Sequence, residues 1–194
     1  VGSEMCIRDS TNSWGQPVSA AAAGSGFVIT NDGYILTNYH VIDGAQSIKV
    51  AFVDGTTYDA VLVGGEEEND IAVLKIDATG LTPVIIGDSD NIKVGEQVVA
   101  IGNPLGELTY SMTQGIISAK DRSITMQNGE VMNMLQTDTA INSGNSGGPL
   151  FDMYGQVIGI TSAKLSSSSS SSEATIEGLG FAIPINDIKD MVQD

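Results

Sequence analysis

Short segments rich in β-branched and apolar residues follow one another through most of the chain, with turn residues between them. Residues 31–33 (Asn-Asp-Gly), 54–55 (Asp-Gly) and 154–155 (Tyr-Gly) are turns of this kind. The pattern predicts an all-β protein, because no long helical periodicity interrupts it. The predicted strands cover residues 27–30, 34–38, 47–53, 57–63, 71–76 and 97–101, then 109–119, 131–137, 149–151, 156–162 and 180–183.

Six strands of this length are enough to close one β-barrel. We therefore predict two antiparallel barrels, one from residues 24–107 and one from residues 108–194, with a polar, mobile lead-in over residues 1–23. Residues 186–192 predict a short C-terminal helix with Asn186 as its N-cap. A chain of 194 residues can bury roughly 70% of the surface that its unfolded form exposes, so a real core is expected.

Charge and apolar patterning restrict the partners of the chain. It carries 24 acidic and 8 basic residues, a formal net charge of −16, which repels nucleic acid and anionic membrane surfaces. No segment is apolar over the roughly 18 residues of a membrane helix, so we expect no membrane insertion of this segment. An export signal or anchor is expected upstream of Val1. Cys6 is the sole cysteine, which excludes an internal disulfide.

Residues 139–150 (TAINSGNSGGPL) contain the strongest functional signal. Ser146 is flanked by Gly144, Gly147 and Gly148, so the backbone there can take turns closed to other residues and approach a substrate carbonyl closely. A serine hydroxyl becomes a nucleophile only when a general base activates it and a third group orients that base. The sequence has to supply both groups elsewhere.

His40 and Asp70 are the candidates for these two groups. His40 is the only histidine in the chain, and imidazole is the usual base near neutral pH. Asp70 opens an apolar run, where its carboxylate could be half buried against an imidazole N–H. The order His, Asp, Ser along the chain is that of chymotrypsin. Because His40 and Asp70 lie in the first half and Ser146 in the second, the site is predicted where the two barrels meet.

Four motifs together resemble the HtrA (Deg) family of trypsin-fold serine proteases: TNYHVI (37–42), NDIAVLKI (69–76), GNPLG (102–106) and NSGNSGGPL (142–150). The resemblance implies barrels of the trypsin/chymotrypsin type that form one protease domain. It implies His40 as general base, Asp70 as the residue that orients it and Ser146 as nucleophile. It also implies an oxyanion hole at Gly144, Asn145 and Ser146, built from the backbone N–H groups of Gly144 and Ser146.

The resemblance further implies a substrate pocket formed by Ala140, Ile141, Thr161, Ser162 and Ala163. Ala140 stands six residues before the nucleophile, where trypsin-fold enzymes have the floor of the P1 pocket, and it offers no acid to a basic substrate residue. We expect a small apolar pocket that favours Val, Ala, Ile or Leu at P1. Two alternatives remain open: Ile141 and Ala163 could belong to the core, and Lys164 could admit a polar or acidic residue.

The implied function is that of a serine endopeptidase acting on unfolded or misfolded proteins, with no cofactor and no metal, in extracytoplasmic quality control and the stress response. The implied location is the periplasm or the outer face of a bacterial cell membrane. Trimerisation in the family implies a homotrimer, and in relatives a PDZ domain commonly follows the protease domain. One alternative is a chaperone-like binding module whose triad rests in a misaligned arrangement, and another is a purely structural double barrel.

Two further segments have plain interpretations. Residues 66–68 are three consecutive glutamates, but contiguous acids point in different directions and are typical of a solvated loop rather than a cation site. Residues 166–172 are seven consecutive serines, which cannot bury enough surface to order themselves. We expect them to form a disordered or ligand-dependent loop, or a simple linker.

Overall fold

The computed structural model describes residues 3–8, 10–11, 17–18, 23–103, 111–125, 131–142, 144–163 and 178–189, with side chains from residue 24 onward. Within these ranges one helical turn, α1 (Tyr39–Ile42), and one 3-10 turn, Ile185–Ile188, accompany the strands. The strands are β1 (Ser3–Arg8), β2 (Ser10–Thr11), β3 (Pro17–Val18), β4 (Ala23–Val28), β5 (Tyr34–Thr37), β6 (Ile48–Ala51), β7 (Thr57–Glu66), β8 (Ile71–Ile76), β9 (Ile85–Ile86), β10 (Gln97–Gly102), β11 (Ser111–Thr125), β12 (Val131–Thr137), β13 (Pro149–Asp152), β14 (Gln156–Ser162) and β15 (Gly180–Pro184).

Six antiparallel strands form a closed barrel in the order β1-β4-β5-β8-β7-β6. The barrel closes because β1 pairs with both β4 and β6, which places Cys6 opposite Gly24 on one side and Val50 on the other. The prediction of a mobile lead-in is therefore wrong for residues 3–8, which form a strand of this barrel.

A second sheet contains seven strands in the order β13-β10-β11-β12-β15-β14-β9. It curls on itself because β13 pairs with both β10 and β14, and β9 joins β14 in parallel. Strand β10 was predicted to complete the first barrel, but it pairs with β11 and β13 of this sheet instead. The predicted boundary between residues 107 and 108 lies outside the described residues. The predicted all-β double barrel is confirmed.

The described part of the C-terminal segment begins differently than predicted. It forms the 3-10 turn Ile185–Ile188, whose N-cap is Pro184 and carries no side-chain capping bond. Asn186 is therefore not the N-cap, and its Nδ2 instead donates to Asp88 Oδ1 at 2.7 Å. The predicted helical residues 190–192 lie outside the described residues, as does the serine loop 166–172.

Side-chain alternation along β4 and β5 explains how the two sheets come together. Val28 and Ile35 pack inside the first barrel, whereas Phe27 and Leu36, which face each other across the two strands, point to the opposite side. There they join a buried cluster with residues of the second sheet, among them Phe151. Because successive side chains of a strand point to opposite faces, each of these strands packs one side against the barrel interior and the other against the second sheet.

Truncating a side chain of this shared cluster should destabilise the whole protein. Phe27 is completely buried, so Phe27→Ala is expected to lower the free energy of unfolding by about 3–5 kcal/mol, measured by urea denaturation. Val61, with 64% of its surface exposed, provides the control, and Val61→Ala should change the same quantity by less than about 0.5 kcal/mol. Equal effects of the two substitutions would contradict the assignment of Phe27 to a core contact.

Candidate active site

Asp70 stands just before β8 in a left-handed backbone conformation, with φ of 53°. Aspartate visits this region more readily than most residues, although it remains unfavourable. Local hydrogen bonds hold it there: the Asp70 N–H donates to the Glu67 carbonyl at 3.2 Å, and the Asp70 carbonyl accepts from the Tyr39 N–H at 3.1 Å. The backbone at Asp70 is therefore fixed by the α1 segment that carries His40.

The Asp70 carboxylate is bound by His40 through two groups. Its Oδ1 accepts the His40 backbone N–H at 2.9 Å, and its Oδ2 lies 2.7 Å from His40 Nδ1. Asp70 is only 1% exposed, and a carboxylate buried to that extent requires donors. Nδ1 therefore carries the imidazole proton that faces Asp70, which leaves Nε2 of a neutral imidazole as an acceptor.

Ser146 completes a chain of three side chains across the two sheets. Its Oγ lies 2.9 Å from His40 Nε2 and receives the Ala163 backbone N–H at 3.1 Å. The hydroxyl is also 3.2 Å from Asn38 Oδ1. The structure thus brings the three predicted residues together, with the acid, the base and the hydroxyl in sequence.

Gly147 brings the chain close to β4 and β5 directly after Ser146. Its φ is 83°, in the region that favours glycine. A Cβ placed on it would overlap the Ser25 carbonyl oxygen and Thr37 Oγ1. A larger residue would push the segment away from β4 and β5. Sterics therefore require a glycine next to Ser146, in line with the close approach expected from the sequence.

Hydrogen bonds tie the segment around Ser146 to both sheets. On one side Ser25, at the start of the first barrel, donates its N–H to the Ser146 carbonyl and its hydroxyl to the Gly144 carbonyl, each at 2.8 Å. On the other side Gly147 donates its N–H to the Thr161 carbonyl of β14 at 2.8 Å. Sequence reasoning missed Ser25, because the short Gly-Ser-Gly run shows no partner until the fold brings the distant segment to it.

The predicted oxyanion-hole residues are not equivalent. The Gly144 N–H donates to Asn142 Oδ1 at 3.1 Å, whereas the Ser146 N–H donates no hydrogen bond to any of the described residues. Asn145 acts through its side chain: Nδ2 donates to the Ala140 carbonyl and Oδ1 accepts the Asn142 N–H, each at 2.9 Å. Of the two predicted N–H donors, one is engaged within the protein.

The predicted pocket residues separate into different environments. Ala140 is exposed, and Ile141 is partly buried and packs against the core of the second sheet. Ser162 and Ala163 are buried, and the Ala163 N–H reaches Ser146 Oγ. Lys164 lies outside the described residues.

Thr161, predicted to line the pocket, is hydrogen-bonded to the segment around Ser146. It is completely buried, and its hydroxyl donates to the carbonyls of Asn145 and Gly148. Its N–H donates to the Gly148 carbonyl, and its carbonyl accepts from the Gly147 N–H. The hydroxyl and backbone of Thr161 therefore hold the segment around Ser146, and its place in the pocket stays a prediction.

The acidic run before Asp70 has a local role in the structure. Glu66 accepts a hydrogen bond from Asn69 Nδ2 at 2.6 Å. In the part of the chain that the structure describes, no three His, Cys, Asp or Glu side chains are grouped as metal ligands. No helix within the same ranges has the length and apolar character needed to cross a membrane.

Removing the Ser25 hydroxyl should loosen the segment around Ser146. Ser25→Ala leaves the buried Gly144 carbonyl without this donor, so the free energy of unfolding is expected to fall by about 1–3 kcal/mol in urea denaturation. Ser123→Ala is the matched control, because its hydroxyl donates to Asn133 Oδ1 on an exposed surface, and it should cost less than about 0.5 kcal/mol. A Ser25→Ala protein as stable as the control would contradict the proposed tie.

Comparisons with known proteins agree with this arrangement. Residues 24–160 match the family of trypsin-like peptidase domains. The chain is 44% identical over 200 residues to the serine protease Do-like HtrA of Bacillus subtilis, an alignment that covers 99% of this chain and 43% of that protein. It is 45% identical over 181 residues to a probable periplasmic serine endoprotease DegP-like of Hahella chejuensis, covering 92% of this chain and 37% of the relative.

A third relative, a probable periplasmic serine endoprotease DegP-like of Pseudomonas savastanoi pv. phaseolicola, is 50% identical over 163 residues, or 84% of this chain and 32% of that protein. The chain spans less than half the length of each of these relatives. The family match covers most of the chain, and the resemblance seen in its motifs is confirmed. The chain belongs to the trypsin-like peptidase domain family and is an HtrA-type protease domain within it.

Proposed function

We propose that this domain is a serine endopeptidase in which Ser146 is the nucleophile. The observation that carries the proposal is the 2.9 Å contact between Ser146 Oγ and His40 Nε2, on an imidazole whose other nitrogen faces the buried Asp70 carboxylate. This arrangement satisfies the requirement that a serine be paired with a base and the base with an orienting acid.

The reaction follows from the positions of these groups. As Ser146 Oγ bonds to the scissile carbonyl carbon, His40 Nε2 takes the hydroxyl proton and the carbonyl electron pair moves onto oxygen. Asp70 keeps the imidazole in the required tautomer and stabilises the imidazolium that forms. When the carbon–nitrogen bond breaks, His40 returns the proton to the leaving amine. Water then cleaves the acyl-enzyme by the same sequence of proton transfers.

Backbone donors would hold the oxyanion that forms in each step. The Ser146 N–H, with no acceptor among the described residues, supports a role in binding a substrate oxygen. We propose the Gly144 N–H as its partner, with Asn145 as the side chain that holds the turn between them. The Gly144 N–H can act as the second donor only after its hydrogen bond to Asn142 Oδ1 breaks.

For the substrate we propose a preference for small aliphatic residues at P1. Support comes from the exposed Ala140, which offers no acid, and from Ala163, whose N–H contacts Ser146 Oγ. Since two of the relatives are named as probable periplasmic serine endoproteases, we propose an extracytoplasmic location for this chain as well. Unfolded or misfolded polypeptides as substrates, a homotrimer and an additional PDZ domain remain proposals that rest on the family resemblance.

Replacing the nucleophile tests the proposal directly. Ser146→Ala should reduce casein cleavage by at least about 10³-fold and abolish labelling by a fluorophosphonate, because no hydroxyl is left to attack. Casein gels and gel fluorescence of the labelled protein are the measurements. Casein cleavage that persists unchanged in Ser146→Ala would instead support a purely structural double barrel with a contaminating protease.

One observation favours a second candidate function, a chaperone-like binding module with a resting site. The Gly144 N–H is donated to Asn142 Oδ1, and an N–H held by a side chain is not available to a substrate oxyanion. Asn142 is exposed, so an incoming substrate could displace it. The same contact could therefore mark either a protein that mainly binds polypeptides or an enzyme awaiting its substrate.

Removing the competing acceptor tests whether this contact restrains the site. Asn142→Ala frees the Gly144 N–H, so the rate of fluorophosphonate labelling of Ser146 is expected to rise about fivefold, the equivalent of one hydrogen bond of about 1 kcal/mol. Asn133→Ala serves as control, because Asn133 is also exposed and accepts a hydrogen bond through Oδ1, on another surface of the second sheet. A labelling rate unchanged or lowered by Asn142→Ala would show that this contact does not restrain the site.

A further inference from the structure

We propose that Asn38 is a fourth member of the reactive centre, which positions the Ser146 hydroxyl and the Asp70 backbone relative to each other. The inference rests on the proposed hydrolase function and adds to it a residue outside the three usual roles. It predicts that Asn38 governs the rate of the chemical step and not the binding of substrate.

The position of Asn38 is the first step of the argument. It follows β5 and precedes α1, two residues before His40, and it is completely buried. Its Nδ2 donates to the Asp70 carbonyl at 2.9 Å, and its Oδ1 accepts from Ser146 Oγ at 3.2 Å. A backbone carbonyl only accepts hydrogen bonds, so the amide nitrogen must face Asp70 and the amide oxygen must face Ser146.

The bond to Asp70 secures an unfavourable backbone conformation. Asp70 has φ of 53°, and its carbonyl accepts from both Asn38 Nδ2 and the Tyr39 N–H. Residues other than glycine persist in this region only when their surroundings hold them there. Because the Asp70 carboxylate orients His40, the Asn38 amide acts on the base through Asp70.

The bond to Ser146 gives the hydroxyl proton two acceptors. His40 Nε2 lies at 2.9 Å and Asn38 Oδ1 at 3.2 Å, while the Ala163 N–H donates into the same oxygen. A hydroxyl has one proton to donate and rotates to suit its partners. With three partners around it, Oγ is held beside the imidazole in both protonation states of His40, since Asn38 accepts the proton whenever Nε2 already carries one.

Loss of Asn38 should therefore affect turnover more than substrate binding. Without the amide, the hydroxyl can rotate away from His40 and the Asp70 backbone can relax, and small misplacements of reacting groups are costly in rate. Asn38 itself cannot touch a substrate, because no part of it is exposed. A residue that only supported the fold would instead lower the amount of folded protein without changing turnover per folded molecule.

The experiment compares Asn38→Ala with the natural protein on a chromogenic peptide that has Val at P1, with active sites counted by fluorophosphonate. We expect kcat per active site to fall by about tenfold or more, while KM changes by less than about twofold. Ser89→Ala is the matched control: Ser89 is 2% exposed and its hydroxyl accepts the Asn186 N–H at 3.1 Å, away from the triad, so kcat should not change. An unchanged kcat, or a rise in KM alone, would overturn the inference.

A second measurement does not depend on catalysis. Melting temperatures of the natural protein, Asn38→Ala, Ser146→Ala and the double variant form a double-mutant cycle. If the two side chains are hydrogen-bonded, Asn38→Ala should lower the melting temperature less in the Ser146→Ala background than in the natural protein. Strictly additive shifts in melting temperature would overturn the contact between Asn38 and Ser146. Casein cleavage that survives Ser146→Ala would overturn the hydrolase proposal, but the double-mutant cycle would still report on the contact.

Should Asn38→Ala fail to fold, Asn38→Leu tests the same inference. Leucine keeps the branched shape of the side chain but removes both the donor to the Asp70 carbonyl and the acceptor of the Ser146 hydroxyl. We expect this variant to fold, because the Asp70 carbonyl keeps the Tyr39 N–H and Ser146 Oγ keeps His40 Nε2, and to show the same loss of kcat at constant KM. A normal kcat in Asn38→Leu would overturn the inference.

Discussion

The segment that carries Ser146 is hydrogen-bonded to both sheets at once, and the rest of the site depends on this double attachment. Ser25 of the first barrel holds the carbonyls of Gly144 and Ser146, and Thr161 of the second sheet holds the N–H of Gly147. Hydrogen bonds tolerate only a few tenths of an ångström in length. The segment therefore fixes the spacing of the sheets as well as the position of its own hydroxyl, and no disulfide takes part, since the chain has one cysteine.

The overall fold could be predicted from the sequence, because strands can be recognised from local sequence patterns. Alternating apolar residues and turn dipeptides identified the two halves, since each pattern is complete within a few residues. Two features were predicted wrongly: β1, which lies in a polar stretch and was predicted as part of a lead-in, and the partners of β10, which lies between the halves. Strand pairing is decided by contacts far apart in sequence, and nothing within either segment indicates which edge it will join.

The site was predictable to the extent that chemistry restricts residue types. A single histidine, an aspartate before an apolar run and a serine among glycines left few combinations, and the structure brings the three together. Asn38 was overlooked although it stands in the same motif as His40, because a buried amide has no fixed chemical role until its neighbours are known. The sequence did not indicate either that the hydroxyl and backbone of Thr161 are hydrogen-bonded to the segment around Ser146, because those partners are also distant in sequence.

The packing of Phe27 and Leu36 against the second sheet has a consequence for how the molecule responds to heat. The proposed base follows a strand of the first barrel and the proposed nucleophile precedes a strand of the second sheet. A slight separation of the two sheets would therefore interrupt proton transfer while every strand kept its partners. Catalytic competence would then disappear at a lower temperature than the circular dichroism of the strands. In such a molecule, the rate of turnover measures whether the two sheets are still packed together, which the circular dichroism of the backbone does not measure.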